Sequence, residues 1–337
     1  LDKARQAEFL RALRGISASL PPFSTEPRRL SGDEARYLRF YGLDLSREFP
    51  EVRHSIGAIR SGDYRLAAQV WRDERRDRNL LLVHGYFDHV GLYGHLVRFG
   101  LAHGYNVTAF DLPGHGLSSG EPVAIDDFAH YRGAVADVLA QCGESRPTWH
   151  VIAQSTGAAA VMDLLQSGGG APLERVVLLA PLIRPAAWRR VRLAHLLLHR
   201  FVRRVPRRFA DNSNDVGFLR SLRRDPLQQR DVSVQWVGAL DRWLKRFQAG
   251  EACHRPLLAI QGDADGTIDW KYNLAELKRL FPLAEIAVVE GARHHLSNES
   301  ARLRSKYLGL VSHYLETGSL PARRHFGAAS GGGKRCL

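Results

Sequence analysis

Trp149-His150-Val151-Ile152-Ala153-Gln154-Ser155-Thr156-Gly157 is the stretch that decides the fold. A short, mostly apolar run, Trp149 to Ala153, leads into Ser155, and the small residues that follow Gly157 open a helix reaching Leu165. The order is strand, sharp turn, helix. A serine at the tip of such a turn rests on strained backbone, with its hydroxyl pushed beyond the end of the sheet. Small residues flank it because the two chain segments nearly touch there. The usual form is G-x-S-x-G. Here Ala153 holds the first glycine position and is small enough to fit.

A strand-then-helix rhythm extends on both sides of this stretch. Tyr64 to Trp71 alternates like a strand, Leu80 to Val83 is a short buried strand, and Leu92 to His103 reads as a helix. Asn106 to Phe110 is the next strand and Ile125 to Gln141 the next helix. Arg175 to Ala180 follows the serine turn as a strand. After a gap, strands return at Pro256 to Ile260 and Ala284 to Val289, with helices at Leu274 to Leu280 and Ser300 to Tyr314. Such alternation predicts an α/β fold with a mostly parallel sheet covered by helices on both faces. Residues 1–60 read as a helical N-terminal extension, because Ala4, Phe9, Leu10 and Leu13 fall near helical spacing before Pro21-Pro22. The core then comprises residues 61–181 and 253–316, and the Gly/Ser-rich end, 317–337, reads as a flexible tail.

The interruption, residues 182–252, is a helical, arginine-rich cap. The chain has 337 residues and a formal charge of +13. Between Arg184 and Gly250 there are 16 Lys/Arg against 5 Asp/Glu, a net +11, so nearly all the excess is local. Arg189, Arg190, Arg192, Arg200, Arg203 and Arg204 alternate with Leu193, Leu196, Leu197, Leu198, Phe201 and Val202. That mixture suits a solvated helix face or a helix lying on an anionic membrane surface. No recognition motif accompanies the charge, so nucleic acid is not an expected partner. No apolar run approaches the length of a membrane span. Cys142, Cys253 and Cys336 lack metal or disulfide spacing, which with the absence of a secretory signal predicts a cytoplasmic protein, peripheral at most to a membrane. No His/Asp/Glu cluster has metal-ligand spacing, so neither metal nor cofactor is expected.

A serine nucleophile needs a base, and the base needs an orienting carboxylate. Both occur downstream in the required order, each just past a strand. Gln261-Gly262-Asp263-Ala264-Asp265 follows one, and Glu290-Gly291-Ala292-Arg293-His294-His295 follows the other. Asp265 is the expected acid. Asp263 falls in the tight turn and is expected to serve the backbone, and Asp269 to cap the next helix. Spacing does not separate His294 from His295. The oxyanion donors are expected to be the N–H groups of Thr156, after the nucleophile, and Tyr86, after His84-Gly85. Asp88 and His89 read as a structural pair fixing that loop, and His115 as a histidine that holds its own loop. Trp188, Phe218, Trp236, Leu240 and Trp243 are candidates to line an acyl channel under the cap.

His84-Gly85-Tyr86-Phe87-Asp88-His89 with Tyr93, then Asp111-x-Pro113-Gly114-His115-Gly116-x-Ser118-x-Gly120, resembles the opening half of the monoglyceride lipase and lysophospholipase branch of the α/β-hydrolases, also called the serine aminopeptidase type. Gly262-x-x-Asp265-x-x-Ile268 and Gly291-Ala292-Arg293-His294-His295-Leu296-x-Asn298-Glu299 are similar to its acid and histidine blocks. The resemblance covers about residues 60–316 and selects His294 over His295. It implies a Ser155–Asp265–His294 triad, an acyl-enzyme and a small-molecule or lipid ester as substrate, a monoacylglycerol or lysophospholipid above all. The chain departs from the family at the elbow, A-Q-S-T-G in place of G-H-S-M-G, and has His295 where glutamate is common. Three other readings keep the same fold: an aminopeptidase, a cofactor-free haloperoxidase-like enzyme, and a catalytically silent binding module.

Overall fold

The apolar runs without alternation lie at the centre of one sheet. The computed structural model describes residues 3–26, 28–142, 148–168 and 173–321. Its strands are β1 (Arg53–Ser61), β2 (Tyr64–Arg72), β3 (Arg78–Val83), β4 (Tyr105–Phe110), β5 (Trp149–Gln154), β6 (Leu173–Leu179), β7 (Arg204–Pro206), β8 (Asp231–Ser233), β9 (Leu257–Gly262) and β10 (Ala284–Val289). Among the described residues eight of them form one sheet in the order β1-β2-β4-β3-β5-β6-β9-β10. Pairing is antiparallel from β1 to β2 and from β2 to β4, and parallel from there to β10. Every residue of β4, β5 and β9 is buried, as a strand covered on both faces must be.

The helices are α1 (Lys3–Ser19), α2 (Gly32–Phe40), α3 (Gly94–Ala102), α4 (Ala129–Cys142), α5 (Thr156–Gln166), α6 (Trp188–Leu198), α7 (Val216–Arg224), α8 (Val234–Ala249), α9 (Trp270–Leu280) and α10 (Ala301–Thr317). Parallel neighbours need crossovers, and α3, α4, α5 and α9 supply them. The strand order reverses between β3 and β5, and loops from the carboxyl ends of both meet there. That is where an open α/β sheet leaves a crevice for a ligand.

The N-terminal extension is not helical to residue 60. β1 occupies Arg53–Ser61 and turns through Gly62-Asp63 into β2. The extension also belongs to the main core: Phe9, Leu13, Ile16, Tyr37 and Leu38 are buried in the same apolar cluster as the sheet. Phe23 N–H donates to Ala58 O (2.9 Å) and Ala58 N–H to Pro21 O (2.7 Å), stitching the segment to β1.

The cap runs from β6 to β9 and contains α6, α7 and α8. It is not purely helical, because β7 and β8 pair antiparallel within it. Pro206 cannot continue a helix, and the β-branched Val205 and Val232 face each other across the pair. The expected tail lies, from residue 322 onward and including Cys336, outside the described residues.

Candidate active site

Ser155 joins β5 to α5 with φ 53° and ψ −111°, a left-handed conformation rare for a residue with a side chain. The turn is held by Ser155 N–H donating to Leu179 O (2.9 Å) and Ala159 N–H donating to Ser155 O (3.0 Å). Gly157 permits the close crossing, since a Cβ there would fall 2.5 Å from His84 O and 2.6 Å from Val83 O. Gly85 has the same need from the opposite side: its Cβ would approach Ser155 Cβ to 3.2 Å.

His294 Nε2 is 3.0 Å from Ser155 Oγ, and His294 Nδ1 is 2.8 Å from Asp265 Oδ2. All three residues are buried. Asp265 stands in the loop after β9, where its Oδ1 accepts from the N–H groups of Thr267 (2.8 Å) and Ile268 (3.2 Å). Its Oδ2 also accepts from Gln261 Nε2 (3.0 Å). Burial works against the charged form of both groups. The attraction and hydrogen bond between them prevail, so Asp265 titrates below its ordinary range and His294 above it. The serine hydroxyl thus meets an imidazole whose far nitrogen rests on an ionised carboxylate.

His295 points elsewhere. Its Nε2 is 3.0 Å from Asp88 Oδ1, and its Nδ1 is 3.0 Å from Ser297 Oγ. Asp88 and His89 do not pair with each other. His89 Nε2 instead lies 3.1 Å from Asp225 Oδ2 in the cap, and Tyr41 OH donates to Asp225 Oδ1 (2.8 Å). One aspartate therefore joins the N-terminal extension, the Tyr86 loop and the cap. Sequence reasoning missed it, because its partners stand 184 and 136 residues away. Asp263 Oδ1 accepts from Gly291 N–H (2.7 Å), and His115 Nδ1 meets Pro113 O (2.8 Å) within its own loop. Asp269 does precede α9, but its side chain makes no cap bond and instead accepts from Arg184 Nη2 (2.6 Å).

A cavity of about 300 Å3 opens over Ser155 and His294 and is walled by Tyr86, Thr156 and Trp236. The N–H groups of Tyr86 and Thr156 have no acceptor among the described residues. Trp236 stacks on the Tyr86 ring with centroids 4.0 Å apart. Three valines of this wall, Val191, Val232 and Val237, also line a second cavity of about 280 Å3 bounded by Ala194, Leu198, Val202 and Val205. Of the five side chains considered for a channel, Trp236 alone lines the cavity over Ser155. Trp188, Leu240 and Trp243 are in the core, where Trp243 stacks between Phe128 and Phe247. Phe218 packs on His295, centroids 4.7 Å apart. Among the described residues no group of three or more His, Cys, Asp or Glu side chains is arranged to hold a metal ion.

A mostly parallel sheet that presents a serine on a strand–helix elbow beneath an inserted cap defines an α/β-hydrolase. Residues 74–301 match the family described as serine aminopeptidase, S33, and the chain belongs to that family. It is similar to a monoacylglycerol lipase of Mycolicibacterium smegmatis, 33% identical over 97 residues. That match covers 28% of this chain and 34% of the relative, so it spans about a third of the curated protein's length. The fold is also that of the monoacylglycerol lipase of Paleococcus ferrophilus (TM-score 0.63, 19% identity, 76% of this chain and 100% of that one). A soluble variant of the Saccharomyces cerevisiae monoglyceride lipase, solved with a substrate analog, superposes with a TM-score of 0.67 (17% identity, 79% and 95% coverage).

Proposed function

We propose that this protein is a serine esterase acting on acyl esters of glycerol or of a glycerophosphate headgroup, a monoacylglycerol lipase or lysophospholipase in chemistry. Ser155 is the nucleophile, His294 the base and Asp265 the group that orients His294. His294 Nε2 takes the proton of Ser155 Oγ as the oxygen attacks the ester carbonyl. The charge that develops on the carbonyl oxygen is met by the N–H groups of Tyr86 and Thr156. His294 then protonates the leaving alcohol, and the acyl group remains on Ser155. A water, deprotonated by His294, attacks the acyl-enzyme and releases the acid.

The single observation that carries this reading is that the Ser155–His294–Asp265 contacts open onto a mostly apolar cavity that adjoins a second one across Val191, Val232 and Val237. An acyl chain attached at Ser155 would lie against the aliphatic wall of Val191, Val232 and Val237, with the second cavity directly behind it. Binding energy scales with the apolar surface withdrawn from water along it, about 25 cal/mol per Å2. The aminopeptidase alternative needs an acidic group to hold a substrate amine. Asp88, the carboxylate on the wall, is already engaged by His295, and Arg207 and Arg208 are the free charges there. The cap also fits an anionic lipid surface, through exposed leucines and arginines of α6.

The test is labelling with a fluorophosphonate, read by intact mass. Wild type is expected to gain one adduct and Ser155→Ala none. Folded wild-type protein that stays unlabelled, with and without detergent to open the cap, would overturn the proposal.

A further inference from the structure

Arg207 is an unusual residue for the wall of an acyl-ester site. It lines the cavity over Ser155, half-buried, at the end of β7. Its guanidinium carbon lies 3.8 Å from the centroid of the Phe87 ring and 4.5 Å from that of Phe209. Nη1 donates to Gln228 Oε1 (2.8 Å), and Gln228, itself buried, donates through Nε2 to Phe87 O (2.7 Å). The backbone is held as well, Arg207 N–H donating to Arg230 O (2.8 Å). The planar group is therefore fixed in place before any ligand arrives, as a bidentate anion site requires.

What it lacks is a counter-charge. No carboxylate among the described residues forms an ion pair with Arg207, and its Nε and Nη2 have no acceptor there. Asp88 is near enough to favour the cation but is bound to His295. Burial brings the guanidinium down to about 10, which leaves it charged at neutral pH. Two further polar residues stand on the same wall. Arg208 is exposed and without a partner among the described residues, and the Asn212 Oδ1 atom is enclosed with no donor. A half-buried charge is costly unless a partner neutralises it. A fixed cation that faces a substrate cavity with free donors is placed to meet an anion.

Resting on the esterase reading above, we propose that Arg207, supported by Arg208, forms a headgroup subsite for a substrate bearing an anionic group on the alcohol side of its ester. The alcohol side is assigned by exclusion, since an anion on the acyl chain would lose its hydration among the valines and Leu198 of the second cavity. The shared chemistry is a phosphate or carboxylate that the guanidinium bonds through two oxygens. The enzyme then prefers lysophospholipid-like esters over neutral monoacylglycerols.

The experiment compares 1-octanoylglycerol with 1-octanoylglycerol 3-phosphate and with the octanoyl ester of glyceric acid. All are used below their micelle-forming concentrations, so attraction of the basic cap to a charged surface plays no part. In wild type the kcat/KM for the better anionic ester is expected to exceed that for the neutral one by about 10-fold or more. The comparison of the two anions tells phosphate from carboxylate. Arg207→Gln is expected to reduce the anionic-to-neutral ratio by about 10- to 100-fold, and Arg207→Lys by less, since the charge stays while the fork is lost. A clamp that merely holds the cap to the Phe87 loop would lower both rates together and leave the ratio unchanged. That result, or a wild-type ratio near one, overturns the proposal. Should Arg207→Gln not fold, wild type still decides: glycerol 3-phosphate is expected to compete with the neutral ester where glycerol does not, and equal inhibition by both counts against the subsite. Fluorophosphonate labelling is run beside every assay. Labelled Ser155 with no anion preference sinks the subsite alone, whereas unlabelled wild type sinks the esterase reading with it.

Discussion

His295 Nε2 lies 3.0 Å from Asp88 Oδ1, so the residue next to His294 is tied to the loop that carries Tyr86. Asp88 Oδ2 also accepts from Gly85 N–H (3.3 Å) and from Tyr93 OH (3.1 Å). Burial opposes the charge on Asp88, but His295 and the hydrogen bonds around it hold the carboxyl well below its ordinary range. The proposed base and one proposed oxyanion donor are therefore positioned by a common buried carboxylate.

Replacing that carboxylate tests the arrangement. Asp88→Asn keeps the shape and removes the charge, leaving His295 and Tyr93 with a weaker partner. It is expected to destabilise the fold by about 1–3 kcal/mol and to lower kcat roughly 10- to 100-fold through a displaced donor. Urea unfolding and initial rates measure the two effects. A wild-type kcat in the variant would show that the loop is fixed by other contacts.

The pH dependence of the proposed activity is expected to follow from His294, its proposed base. The base must be neutral to accept the serine proton, and its charged form is favoured by Asp265 and Asp88 over the opposing effect of burial. The acid limb of kcat/KM is therefore expected above the ordinary histidine value of about 6.5, with a tenfold loss per pH unit beneath it. Asp265→Asn is expected to move that limb to lower pH and to cost on the order of 10^4-fold in kcat. A limb that stays put in the variant would mean that another group sets it.

What the sequence made legible was whatever a short window encodes. Ser155, Asp265 and His294 each follow a mostly apolar strand, and the loops after parallel strands converge at one end of the sheet. Trp188, Leu240 and Trp243 were ambiguous for a physical reason. An aromatic on an amphipathic cap helix faces either the core or the cavity, and periodicity is the same for both. β1 hid because Arg53–Ser61 alternates weakly around Gly57, although the turn at Gly62-Asp63 between two extended runs was a usable signal. The Tyr41–Asp225–His89 contacts had no local signature at all, since a buried polar pair made across the fold is visible only once the chain is closed.

Chain-length preference should depend on the three shared valines. Val237→Trp fills space at the wall that the two cavities share. The ratio of kcat/KM for a dodecanoyl ester to that for a butanoyl ester is expected to fall by about 10-fold or more, because the methylenes denied the second cavity forfeit about 0.8 kcal/mol each. An unchanged ratio across a series of acyl esters would place the acyl chain elsewhere.

Stability should fall below pH 6.5 for a separate reason. Burial is the main cause that lowers His54 to about 4, His84 to about 3 and His115 to about 4. The unfolded chain binds a proton at each near pH 6.5, whereas the folded chain does not until about pH 3 to 4. The unfolded state therefore holds more protons between those values, and their stabilising contribution, intact above pH 6.5, is lost progressively as the pH falls. His89 and His294, both raised, have completed their change above that window. The expected slope is on the order of 4 kcal/mol per pH unit near pH 5 for the three histidines together. Urea unfolding at pH 6 and pH 5 measures it, and His115→Gln should remove roughly a third of the contribution of these three rings. Equal stability at the two values would mean that these rings are accessible to protons in the native state.

The outer face of α6 gives the last prediction. Leu193, Leu196 and Leu197 are exposed, Leu197 at 66%, and Phe201 beyond the helix is 84% exposed. Arg189, Arg190, Arg200 and Arg203 stand beside them with no carboxylate partner among the described residues, while Arg192 is paired to Asp241. Apolar side chains in water beside unpaired cations suit the boundary of an anionic bilayer, where each arginine contributes about 1 kcal/mol. No described helix is long and apolar enough to cross a membrane. Phosphatidylglycerol-containing vesicles are expected to sediment the wild-type protein, and neutral phosphatidylcholine vesicles to do so far less. Raising salt should weaken the electrostatic share, whereas Leu197→Asp with Phe201→Asp should weaken binding about 10-fold or more at any salt by removing the inserted surface. Since the same helix contributes Ala194 and Leu198 to the second cavity, a bilayer that draws its outer face down would bring that cavity to the lipid. Binding that is insensitive to the double substitution would make α6 an ordinary solvated face.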